Sequence, residues 1–149
     1  MALRNATRGT VLADRERWAV TAADRARGLL DTDGLSSGEA LVISPCNSVH
    51  MFGMRYALDV VFVDRSGRVV RAIENLCPMR FTRLHFRAHR AIELPVGVIS
   101  ATGTQRGDTI DLGEPPEHAG SSPLILWAIV VTAALVVVTL LTKAAISAG

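Results

Sequence analysis

The chain has almost no lysine, few aromatics and few cysteines. Lys143 is its one lysine, so the other basic side chains are arginines. Lys and Arg total 16 against 14 Asp and Glu, a net charge of +2. That balance lacks the basic excess of a nucleic-acid binder, and no nucleic-acid partner is expected. The two cysteines, Cys46 and Cys77, form no CxxC pair and fit no zinc spacing. Free thiols are the expectation in a reducing compartment. There is no Gly-flanked nucleophile elbow and no glycine loop for phosphate, so no cofactor is expected. The N-terminus MALRNATRG has no apolar core of a secretory signal, which points to a cytoplasmic globular part.

What is present falls into blocks. Residues 1–113 carry all the strand and turn signals, enough for one modest core. Residues 114–123 (EPPEHAGSSP) read as a Pro/Gly/Ser linker. Residues 124–142 (LILWAIVVTAALVVVTLLT) contain no charge. As a helix that segment is about 28 Å long, close to a hydrocarbon core of about 30 Å. A single transmembrane helix is expected there, with Trp127 at the interface and 143–149 as a short tail. The domain would then be tail-anchored in the cell membrane.

The organising stretch is 47–70. LDVVFVD, residues 58–64, is apolar on both faces beyond Asp59 and reads as a central strand. Asp64-Arg65-Ser66-Gly67 is a hairpin turn, and residues 68–73 should pair back. Residues 9–13 and 17–20 read as a second hairpin around Asp14-Arg15. Thr21 and Asp24 resemble a capping box, opening a helix over 22–30 with Gly28 inside it. Residues 40–44 form a strand that Pro45 stops or confines to an edge. Residues 48–54 read as extended, with Ser48, His50, Phe52 and Met54 on one face. Residues 75–90 (NLCPMRFTRLHFRAHR) form an irregular loop with four Arg and two His, of a length that is often functional. A strand at 91–94, a helical turn within 96–102 closed by Gly103, and a last strand at 109–112 complete the pattern.

Four patches, in order, resemble the domain of unknown function 192 family. They are Arg25-Ala26-Arg27-Gly28-Leu29-Leu30, Pro45-Cys46-Asn47-Ser48-Val49-His50 through Met54-Arg55, residues 58–64, and Glu93-Leu94-Pro95-Val96-Gly97 with Gly107-Asp108. The resemblance covers roughly 9–112. It implies a mainly β domain, a jelly-roll-like sandwich or open barrel with one or two short helices, and it implies no established activity. Met51, Gly53 and Met79 depart from the family pattern.

The candidate binding residues are His50, Asp59, Arg55, Arg80 and Glu93. Cys46, His50 and Met54 have soft-metal character. On a strand, however, they would spread over roughly 27 Å, and no metal site is expected. His85 and His89 read as part of a solvated loop. Asp59 would be partly buried, with Arg55 or Arg80 as its partner. His50, Asp59 and the 75–90 loop would line a groove. The leading expectation is a membrane-tethered module that binds a protein or a small molecule. The alternative is an enzyme using Asp59, Glu93 or His50, whether or not the two carboxyls act as a pair.

Overall fold

The computed structural model describes residues 2–113. The linker, membrane helix and tail expected over 114–149 lie outside the described residues. Among those that are described, no helix is long and apolar enough to cross a membrane.

Eight strands and two short helices follow in the order β1 (Leu3–Asn5), β2 (Thr10–Ala13), β3 (Arg15–Ala19), α1 (Ala22–Arg27), β4 (Glu39–Ile43), β5 (Leu58–Val63), β6 (Val69–Leu76), β7 (Arg90–Leu94), α2 (Val98–Thr102) and β8 (Ile110–Asp111). They form two open sheets, one ordered β3-β4-β7-β5-β6 and one ordered β2-β1-β8. Neither sheet closes into a barrel. Most neighbours are antiparallel, but β3 and β4 run parallel with α1 between them.

β5 is buried at every position, as a strand apolar on both faces must be. Its odd and even residues serve two cores. Val61 and Val63 join Val42, Ile92 and Leu94 against Leu3, Leu12, Ile99 and Ile110, which come from the three-stranded sheet and α2. Leu58, Val60 and Phe62 join Leu41 and Ala91 under Leu29, Val49 and Met51. The five-stranded sheet is therefore a middle layer. One face meets the smaller sheet, and the other is roofed by the irregular segments around 46–56 and 76–90.

The 64–67 turn forms as its residues require. The Asp64 carboxylate accepts from the Ser66 and Arg68 backbone N–H groups. Gly67 holds φ at 83°. A Cβ there would collide with the Ile110 carbonyl oxygen, so a second constraint joins the conformational one.

Three readings need correction. First, 9–13 and 17–20 do not form a hairpin. β2 pairs with β1 in the smaller sheet, whereas β3 pairs with β4 in the larger. Asp14-Arg15 lacks the Gly or Asn that a tight hairpin turn needs. Both of their N–H groups donate to the Gly38 carbonyl as the chain crosses between sheets. Second, Gly28 stands at the C-cap of α1, with φ 49°, and ends that helix at Arg27. The Thr21 cap is present, its hydroxyl accepting from the Asp24 N–H at 3.1 Å. Third, residues 48–54 are not a strand. They make one bridge, His50 to Phe81, and turn at Phe52-Gly53.

Candidate functional site

Strand alternation sends Asp59 and Glu93 to opposite faces of the large sheet. Val60, not Asp59, stands beside Glu93, while Asp59 stands beside Leu94. Asp59 therefore shares the face of Val61 and Leu94. It is fully buried and lies against α2. Oδ2 accepts from the N–H groups of Gly97 (3.0 Å) and Ile99 (2.9 Å), and Oδ1 accepts from Asn75 (2.9 Å). Gly97 has no side chain to cap α2, and Asp59 supplies the missing acceptor from another strand. The expected arginine partner is absent. Arg55 is exposed and pairs with Asp33 at 2.8 Å. Arg80 is exposed, and its carbonyl accepts from the Met51 N–H at 2.7 Å. Three aligned N–H donors satisfy a buried carboxylate without a cation. A joint role for Asp59 and Glu93 as a carboxylate pair is excluded by their facing.

Glu93 lies on the other face, beside Leu41 and Val60 and buried among apolar side chains. Burial pushes its carboxyl up from 4.5 to about 7. Cys46 feels that charge. Burial foremost pushes its thiol up to about 12, Glu93 adds to this, and a backbone hydrogen bond at Ser48 and the Arg25 guanidinium oppose it. The thiol donates to the Ser48 carbonyl at 3.1 Å. A thiol so held is a poor nucleophile. Among the described residues, no three His, Cys, Asp or Glu side chains converge as metal ligands would.

His50 is exposed, contrary to the expected burial of its face. Val49 and Met51 point inward instead. Alternation itself holds over 49–51, and the buried face is that of Val49 and Met51 rather than that of His50 and Phe52. The His50 ring stacks on Phe52 at 5.6 Å, and Phe52 lies 6.4 Å from Phe81. Partial burial lowers the pKa of the imidazole, which favours its neutral form. His50 thus meets the 75–90 loop at Phe81. Asp59 meets only its first residue, Asn75, through the backbone, so the two do not line one groove.

Backbone hydrogen bonds pin the loop to the core. Met79 N–H donates to the Met51 carbonyl, Thr82 N–H to Val49, His85 N–H to Asn47 and His89 N–H to Val63, all within 2.8–3.0 Å. Its inner side packs. Thr82 is buried, and the His85 ring rests on Phe62 at 4.5 Å. Desolvation first, then Arg71 and Arg83, lower the pKa of His85. The loop's exposed side chains include Met79 (68% exposed), Phe81 (71%), Leu84 and Phe86 (86%). Met79 holds φ at 62°, in the left-handed region, a conformation that costs a non-glycine residue energy. Phe86 and His89 line a shallow cleft of about 480 Å³ with Asp64, Arg65, Ser66 and Arg87. Reading the loop for its histidines and arginines overlooked these exposed apolar side chains. The signal lay in the interleaving of Met79, Phe81, Leu84 and Phe86 with arginines.

Asp108 is a third buried acid among the described residues, and it organises the smaller sheet. It accepts from Asn5 Nδ2 (2.9 Å), Arg8 Nε (2.6 Å) and the Gln105 N–H (3.0 Å). Like Asp59, it is a framework residue.

A family model described as "Uncharacterized ACR", DUF192, matches residues 4–112. A UPF0127 protein of Thermococcus sibiricus is 35% identical over 113 residues, covering 73% of each chain. Two solved structures share the fold. One, of a Novosphingobium aromaticivorans protein of unknown function, has a TM-score of 0.59 at 22% identity, covering 65% of this chain and 74% of that one. The other, from Sinorhizobium meliloti and described as a "putative transcription regulator", has a TM-score of 0.62 at 20% identity, covering 74% and 89%. At such identities the likeness is one of fold alone. The match across nearly every described residue, together with the archaeal relative, shows that the chain belongs to the DUF192 (UPF0127) family of uncharacterised proteins.

Proposed function

We propose that the chain is a membrane-tethered binding module, with the outer side of the 77–90 loop as its contact face. One observation carries the reading. Four large apolar side chains stand in solvent on a segment that backbone hydrogen bonds hold in place. Scattered exposed apolar residues need no explanation, but a cluster on one segment marks an interaction surface. The uncharged 124–142 segment supplies the tether, and the globular part lies on the cytoplasmic side. Cys77 is exposed at the edge of the face and reports on its coverage. In washed membrane fragments, alkylation of Cys77 should be slower than in detergent. Equal rates in the two states would remove the proposal.

A second reading has its own observation. Glu93 keeps a carboxyl with a pKa near 7 beside a thiol, inside an apolar face, and poised groups of this kind occur at catalytic sites. That reading narrows the enzyme alternative to Glu93. Asp59 is occupied by backbone donors, and His50 stands on the outside. Its test is turnover lost in Glu93→Gln with the fold intact.

A further inference from the structure

The contact face and the tether together identify the occupant more closely. Residues 77–90 contain four arginines and no acidic residue. Arginines alternate with the protruding apolar side chains, with Arg80 between Met79 and Phe81 and Arg83 beside Leu84. Arg87 is close enough to Asp64 to help lower that carboxyl, after the hydrogen bond from Ser66. Arg80 and Arg83 are exposed beside the apolar row. Basic groups interleaved with aromatic and aliphatic ones suit the headgroup layer, where rings enter the acyl boundary and guanidinium groups stay among phosphates. Arg, Met and aromatic residues are enriched at protein–protein interfaces too, so the choice of a lipid surface over a protein rests on the tether.

The rest of the chain favours the same occupant. The family match ends at residue 112, and the uncharged 19-residue stretch begins at Leu124. The eleven residues between them span at most about 40 Å when fully extended. A domain tethered so closely to a bilayer meets lipid at high effective concentration before it meets any diffusing partner.

We infer that the outer side of the 77–90 loop docks on an anionic phospholipid surface. Met79, Phe81, Leu84 and Phe86 enter the headgroup layer, and Arg80 and Arg83 meet lipid phosphates. This inference rests on the binding-module reading and names its partner.

The test uses the full chain, reconstituted into phosphatidylcholine vesicles with and without phosphatidylglycerol. The probe is alkylation of Cys77 by N-ethylmaleimide, which crosses bilayers and so reads both orientations. Peptide mapping separates Cys77 from Cys46. Alkylation should slow roughly fivefold or more in the anionic vesicles. High salt should restore the rate, because the attraction is screened. Arg80→Gln with Arg83→Gln should restore it too, as should Phe81→Ser with Phe86→Ser. Equal rates in the two vesicle types overturn the inference, and so does slowing that salt and both double variants leave untouched. Protection in washed native membranes but not in anionic vesicles also overturns it. That result would leave the binding reading standing, with a protein as the occupant. Protection in neither system overturns both.

Discussion

Two acids on adjacent strands of one sheet have opposite consequences here. Asp59 meets three N–H donors, and Glu93 meets apolar neighbours. The folded Glu93 carboxyl titrates near pH 7, above its ordinary 4.5. Between those values the folded protein holds a proton that the unfolded chain has released. Stability therefore falls as pH rises through that window, by about 3 kcal/mol if no other group compensates. Glu93→Gln should remove this slope and raise the melting temperature at pH 8 relative to wild type. Thermal melts of both proteins from pH 4.5 to 8 check it, and a constant difference between them would mean that Glu93 is ionised throughout. Asp59→Ala should act the other way. It leaves three buried N–H groups without their acceptor and should cost about 3 kcal/mol or more in a denaturant titration. A loss under 1 kcal/mol would show that water replaces the carboxylate. The sequence marked both acids as important but could not separate them. Facing depends on register between β5 and β7, which are far apart in the chain. The Arg55 and Arg80 pairing failed for a related reason. A helix start with glycine at its cap can draw its acceptor from a distant strand, and nothing local announces that.

Among elements, those whose signals were local were legible. β5 is apolar on both faces, and the 64–67 turn combines an Asp cap with a glycine, so both could be placed from their own residues. Gly67→Ala should destabilise by more than about 1 kcal/mol, because it meets both the positive φ and the Ile110 carbonyl. Equilibrium unfolding would show it, and an unchanged midpoint would mean that the hairpin shifts to admit the methyl group. β1 was overlooked because three residues with one large apolar side chain, Leu3, carry no readable period. The crossing from β2 to β3 was mistaken for a hairpin, since short β-rich segments flanking two polar residues look alike in either arrangement. His50 was assigned to a buried face because it shares that face with Phe52 and Met54. Val49 and Met51, on the opposite face, enter the core instead and leave the imidazole outside.

At the scale of the whole molecule, the β-rich class and the family were readable, because the four quoted patches fall within the span that the family model matches. The parallel β3–β4 pair and the layered order of the sheets were not, since both depend on distant pairings. The described domain has two cores of its own. Residues 1–113 expressed alone should melt cooperatively, and a fragment without a cooperative transition would mean that the remaining residues complete the fold. The central claim is that the 77–90 loop is a contact face rather than simply a roof over Phe62. The most direct measurement compares wild type with Phe81→Ser plus Phe86→Ser, both outward side chains, in two assays. One is the thermal melt of the purified chain, and the other is Cys77 alkylation in washed native membranes. A contact face predicts melts that agree within about 0.5 kcal/mol, with protection of Cys77 in the wild type and none in the variant. The claim is contradicted if the variant loses stability and keeps its protection, or if Cys77 reacts equally fast in both proteins.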